Sequence, residues 1–232
     1  MTNNLFPSPA WPTVSVAGTD AGYPVHRIFC VGRNYADHAK EMGVEVDREA
    51  PFYFTKSALT LFASGGIAPY PPGTENFHYE MELVIAIGKS TFRTSIEQAH
   101  EAIFGFACGL DMTRRDLQLK ARASQRPWDL GKDVENSAVV AEITPIASFG
   151  QLSGQPIQLS VDGQTKQSAL LSDLVWSAEE LVADLSKFYH LEPGDLIFSG
   201  TPAGVGAVLP GAKLRGTIAG LASVELTVGD AE

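Results

Sequence analysis

The 232-residue chain is poor in cysteine, with two, and short of positive charge, with 17 basic residues against 27 acidic ones. It also has no apolar run near the roughly 20 residues that a membrane-spanning helix needs. Cys30 and Cys108 each sit inside an apolar run, Ile28-Phe29-Cys30-Val31 and Phe106-Ala107-Cys108. They read as buried, reduced thiols acting as small hydrophobes, and no pair spacing suggests zinc. A net charge of −10 and a pI of about 4.9 give phosphate backbones and anionic membrane surfaces nothing to bind. Neither nucleic acid nor a membrane is therefore an expected partner, although a few local cations can still hold a small anionic substrate. The segment 1–13 shows no basic start followed by an apolar stretch, so no signal peptide is expected and the chain reads as cytoplasmic. Gly88-Lys89-Ser90 lacks the upstream glycine of a Walker loop, and no stretch reads G-x-G-x-x-G or G-x-S-x-G. Nucleotide binding and serine hydrolysis lose support accordingly.

What is present is ordinary globular material, 44% hydrophobic, enough for a substantial core. Residues 1–24, rich in Pro, Asn and Ser, read as an N-terminal arm, extended rather than core, and 25–232 as a single domain. Strand patterns fall at 27–31, 52–55, 78–88, 104–110, 157–161, 164–169, 195–199, 212–218 and 221–228. Asp162-Gly163 between two of them is a hairpin signal, and Pro193-Gly194 is another turn. Helices are expected at 35–42 (N-cap Asn34, Gly43 beyond the end), at 178–189 with a Ser177/Glu180 capping box, and from Thr113 to about Ser124. The class is α+β, mainly β.

Three stretches carry chemistry. In His78-Tyr79-Glu80-Met81-Glu82 the two glutamates are i and i+2 on a strand, so they share a face and repel unless a cation lies between them. Taken alone, the pair also fits a solvated strand face matched with lysines. Asp111, closing the apolar run Phe104–Leu110, is a third carboxylate at the mouth of a buried strand. Three oxygen ligands favour Mg²⁺ or Mn²⁺, with Ca²⁺ also fitting, over Zn²⁺. On the helix after Arg33-Asn34, His38 and Glu41 are i and i+3, a pair that can activate water and that equally fits an exposed helix surface. Gly200-Thr201-Pro202-Ala203-Gly204-Val205-Gly206, following a strand, can turn backbone N–H groups and the Thr201 hydroxyl toward an anion, or be a plain loop.

Taken together and in order, Cys30-Val-Gly-Arg-Asn-Tyr-Ala-Asp-His-Ala-Lys-Glu41, His78-Tyr-Glu-Met-Glu82, Gly109-Leu-Asp-Met-Thr-Arg-Arg-Asp116 and Gly200-Thr-Pro-Ala-Gly-Val-Gly206 resemble the fumarylacetoacetate hydrolase family from about His26 to Val228. The resemblance implies that family's β-roll, a mixed β-sandwich, with a catalytic Mg²⁺ or Mn²⁺ and a homodimer. It implies Glu80, Glu82 and Asp111 as metal ligands, His38 and Glu41 as the water-activating pair, and Lys132 beside the reacting carbonyl. Arg33, Arg115, Gln118 and Thr201 become substrate-contacting residues, and Lys56 is left without a role. Pro71-Pro-Gly-Thr-Glu-Asn76 and Arg126-Pro-Trp-Asp-Leu-Gly-Lys-Asp-Val134 are similar to members that hydrolyse the 2,4-diketo acid fumarylpyruvate to fumarate and pyruvate in gentisate-type aromatic degradation. Arg33 and Arg126 are the cations considered for the far carboxylate of that substrate. Oxaloacetate decarboxylation or tautomerisation and wider acylpyruvate hydrolysis are alternatives on the same scaffold; a non-enzymatic ligand-binding module must treat three carboxylates as incidental.

Overall fold

The computed structural model describes residues 5–6, 10–43 and 48–231. Met81–Ile87 and Ile103–Asp111 are apolar along nearly their whole length and pair antiparallel at the centre of an eight-stranded sheet. Such continuous apolar runs belong to strands covered on both faces, and here each face has its own core. Met81, Leu83, Ile85 and Ile87, with Phe106, Cys108 and Leu110, are buried in the core shared with a five-stranded sheet. That sheet runs in the order Gln164–Leu170, Pro156–Val161, Lys213–Ile218, Val224–Ala231, Ile67–Tyr70, and it supplies Ile157, Leu159, Leu214 and Leu226. Each such side chain is worth about 1.5–3 kcal/mol of burial. Val84, Ala86 and Ala107 belong to the second core, with Ile28, Cys30 and Phe198.

The second core is closed by a segment expected to lie outside it. Thr13–Ser15 and Gly22–Pro24 form a hairpin, and Val14, Val16 and Tyr23 are buried. The Tyr23 hydroxyl donates to the carbonyls of Ile87 at 2.7 Å and Asp195 at 2.9 Å. At 20% helix and 41% strand, the chain has the expected α+β, mainly β composition. Among the described residues, no helix is long and apolar enough to cross a membrane. Both cysteines are buried and unpaired.

Several element ends differ from expectation for local reasons. The run 78–88 is two strands, Phe77–Tyr79 and Met81–Ile87, interrupted at Glu80. Thr113 and Arg114 pair with His78 and Phe77, so the helix begins at Arg115 and runs to Ala123. At Ala36–Glu41 the N-cap position falls to Tyr35, which makes no side-chain capping bond, and not to Asn34, whose side chain is engaged elsewhere, while Gly43 follows in the left-handed region at φ +70° as expected. Ala178–Leu185 carries the Ser177/Glu180 capping box but stops four residues short of the expected end. Asp162 and Gly163, at φ +50° and +77°, make the expected hairpin turn.

Candidate metal centre and cleft

The two central strands deliver the three carboxylates. Glu82 lies opposite Gly109, and the N–H of Asp111 donates to the Glu80 carbonyl at 2.9 Å, so Asp111 is the diagonal neighbour of Glu82 on the same face. Gly109 lets the core close tightly over the strand beside them, since a Cβ there would stand 2.5 Å from Val84 and 2.9 Å from the Phe198 ring. One oxygen from each of Glu80, Glu82 and Asp111 lies within 4.8 Å of the others, and all three residues are at most 5% exposed.

Their partners differ. Glu80 accepts from Arg115 Nη2 and, at 2.7 Å, from Lys132 Nζ. Burial alone would raise its carboxyl, but Lys132 and Arg115 outweigh that and hold it well below the usual carboxylate range. Lys132 spends its three donors on Glu80, on Asp111 Oδ2 at 2.6 Å and on Thr113 Oγ1 at 2.8 Å. Lys56 Nζ lies 2.9 Å from Asp111 Oδ1, yet its three donors go to the Met112 and Lys132 carbonyls and to Ser137 Oγ. Asp111 Oδ1 is thereby buried with no hydrogen bond. Glu82 has no ion pair among the described residues; it accepts only the Gly200 N–H, at 2.7 Å. Burial, then the charges of Asp111 and Glu80, push its carboxyl well above the ordinary value. A bare lone pair on Asp111 and an uncompensated carboxylate on Glu82 are what a divalent cation would satisfy, so the residues present fit a hard metal ion.

Around the centre, Arg115 also donates to Gln118 Oε1 and, at 3.4 Å, to His78 Nδ1. Burial and the Arg115 charge push His78 down to about 4, so its ring is neutral near pH 7 and works as an acceptor that orients Arg115. His38 Nδ1 meets Glu41 Oε2 at 3.0 Å, and Glu41 in turn accepts the Gly204 N–H at 3.1 Å. The glycine-rich loop thus fixes the acid that orients the histidine. Thr201 Oγ1 accepts from Gln167 Nε2 at 2.9 Å.

One cleft is lined by Arg33, His38, Glu80, Glu82, Arg115, Gln118, Lys132 and Thr201 together. Asp111 lies beneath it, and Glu41 reaches it through His38. Arg33 takes φ +62°, a left-handed conformation that costs a non-glycine residue about 1–2 kcal/mol, and its guanidinium stands 5.5 Å from the Phe52 ring. Arg126 does not line this cleft; it borders an adjoining groove with Gln125 and Pro127. Two buried residues had no role assigned from the sequence. Lys56, left without a role, gave only the signal of a lysine closing the strand Phe52-Tyr-Phe-Thr-Lys56. Gln167, 1% exposed, accepts the Met81 N–H at 3.0 Å and donates to Thr201 and the Pro202 carbonyl. An isolated glutamine in an exposed hairpin pattern carries no signal of that role.

Comparison with known proteins agrees with this geometry. The family model described as fumarylacetoacetate (FAA) hydrolase, C-terminal, matches residues 27–229. A fumarylpyruvate hydrolase of Ralstonia sp. is 57% identical over 193 residues, covering 82% of this chain and all of the relative. An oxaloacetate tautomerase of Arabidopsis thaliana is 37% identical over 202 residues, covering 87% of this chain and 90% of the relative. The crystal structure of fumarylpyruvate hydrolase from Pseudomonas aeruginosa with Mn²⁺ and pyruvate superposes with a TM-score of 0.95 at 45% identity, covering 99% of this chain and 100% of that one.

Proposed function

The chain belongs to the fumarylacetoacetate hydrolase family, and from that membership we propose that it is a metal-dependent hydrolase of fumarylpyruvate, giving fumarate and pyruvate. The observation that carries the reading is the buried triad Glu80, Glu82 and Asp111, with its ligand oxygens within 4.8 Å, beside an oriented His38–Glu41 pair. A Mg²⁺ or Mn²⁺ held by the triad supplies Lewis-acid polarisation of the α-keto acid end of the substrate. Glu41 accepts from His38 Nδ1 and leaves Nε2 as the base. His38 takes a proton from water as the water oxygen bonds to C4. When the C3–C4 bond breaks, its electron pair passes to the pyruvate fragment as an enolate, and fumarate leaves with the new oxygen. A proton returned to C3 completes pyruvate. Lys132, with all three donors taken, acts through its fixed charge, which favours the negative charge that develops at the enolate. Arg115 and Gln118 frame the metal end, and Arg33 and Thr201 contact the substrate from the cleft walls.

A homodimer working in the cytoplasm, in gentisate-type degradation, belongs to the same proposal. The family resemblance supports it. Light scattering of the purified chain tests the dimer. The decisive assay follows fumarylpyruvate with and without EDTA, then with Mn²⁺ restored, alongside oxaloacetate. Metal-dependent release of one fumarate per pyruvate is expected. Turnover of oxaloacetate alone would move the chain to tautomerase or decarboxylase chemistry and leave His38 without its role.

A further inference from the structure

Helix Arg115–Ala123 turns one face to the cleft. Arg115, Gln118, Leu119 and Arg122, at i, i+3, i+4 and i+7, all line it. Arg115 touches Glu80 at the metal end. Arg122 sits two turns further on, about 10 Å along the axis. Exposure rises along that face, from buried Arg115 and Gln118 to Leu119 and half-buried Arg122, so Arg122 stands toward the solvent end of the cleft. One of its donors is used, from Nη1 to the Met42 carbonyl at 3.2 Å, and no carboxylate pairs with it among the described residues. A guanidinium has five N–H donors in a planar fork, so a bidentate edge is left for an anion. The same cleft has an aromatic wall: Phe54 and Trp128 pack at 5.9 Å, and both line it. A flat, conjugated acyl chain fits against such a wall, with a carboxylate at each end of the span.

We propose that Arg122 is the specificity-determining residue that selects acylpyruvates whose acyl group ends in a second carboxylate. The inference rests on the hydrolase reading above and adds what recognises the far end of the substrate. The helix carries both contacts, Arg115 for the chelating end and Arg122 for the distal one, so substrate length is measured along one rigid element. Arg33 adds a further positive charge to the cleft lining.

The test compares fumarylpyruvate with acetylpyruvate, which lacks the distal carboxylate, in wild type, Arg122→Met and Arg122→Lys. Metal content and melting temperature are recorded for each. In Arg122→Met the fumarylpyruvate-to-acetylpyruvate ratio of kcat/KM is expected to fall roughly ten- to hundred-fold, the size expected for a lost charge-assisted hydrogen bond. The fall should lie mainly in KM, and Arg122→Lys should recover part of it. If Arg122 only tethers the Met42 carbonyl, both substrates will lose activity together, the ratio will not move, and the inference is overturned. A wild type that hydrolyses neither acylpyruvate overturns the hydrolase reading itself. A wild type active on both, with a ratio unmoved in Arg122→Met, removes the role of Arg122 alone.

Discussion

At the metal centre the three carboxylates are not equivalent, because their neighbours differ. Glu82 is buried between like charges with one backbone donor. In Glu82→Gln the amide oxygen can still accept from Gly200 and the repulsion disappears. That variant should melt higher than the metal-free wild type, while its Mn²⁺ affinity, read by calorimetry, falls more than the roughly 10- to 100-fold typical of outer-shell changes. Unchanged Mn²⁺ affinity would remove Glu82 from the ligand set. His38→Ala, by contrast, should bind Mn²⁺ normally and lose most of its kcat; a full-rate variant would end its role as base. Lys56 is the residue that motif reading passed over. It is buried against Asp111 and holds the Lys132 and Met112 carbonyls and Ser137. Removing one partner of a buried pair costs about 3–5 kcal/mol, so Lys56→Met should unfold at markedly lower urea. A midpoint equal to wild type would show that the pair contributes nothing. The glutamates and Asp111 were legible because carboxylates in apolar runs break pattern twice. Lys56 breaks it once and looks like an edge charge.

At the scale of elements, what escaped the sequence is mostly what long-range side-chain bonds decide. Asn34 looks like a helix cap, but its amide donates to Trp176 O and Ser199 O and its oxygen accepts the Trp176 N–H. Those partners are more than 140 residues away and leave no local trace. The break at Glu80 was hidden because residues on both sides are strand-like. The hairpin turn at Asp162-Gly163 and the Ser177/Glu180 box were legible because their chemistry is local. Gln167 is the clearest long-range case. Its side chain joins the strand of the metal ligands, through Met81 N–H, to the loop of Thr201 and Pro202. Gln167→Leu keeps a side chain of similar size and strands one backbone donor, one carbonyl and one hydroxyl. Each buried group left unpaired costs about 1–3 kcal/mol, so the variant should be clearly less stable. Its KM should rise while Mn²⁺ affinity stays near wild type, since no ligand is touched. An unchanged KM would mean that Thr201 holds its place without Gln167.

For the whole molecule, acidic net charge and a cation-lined cleft coexist because the cations are gathered: Arg33, Arg115, Arg122 and Lys132 all line one cavity. The same burial that builds the site sets the alkaline limit of the fold. Burial, with Asp195 nearby, raises the Tyr23 phenol; burial with Glu82 and Asp173 raises Tyr35, and burial with Asp184 raises Tyr53. Burial likewise raises the Cys30 thiol and pushes Cys108 up to about 12. In the unfolded chain these groups lose protons at ordinary values, roughly 8.5 for a thiol and 10 for a phenol. Above those values the unfolded state binds fewer protons than the folded one, so stability must fall as pH rises. The contribution is neutral below pH 8, and the loss grows through the window up to the folded values. Urea midpoints should therefore be level near pH 7–8 and drop steadily from about pH 9 upward. Three of the six tyrosines should form phenolate only as the native circular dichroism disappears. Tyr23→Phe tests the cause from the other side: it deletes one titrating group, so its stability should decline less steeply across the alkaline range than that of wild type, whatever it loses at neutral pH from the hydroxyl's bonds to the Ile87 and Asp195 carbonyls and the Gly194 N–H. All six phenols titrating in a still-native protein would show that their burial does not resist ionisation, and that alkaline loss of activity has to be sought in the cleft.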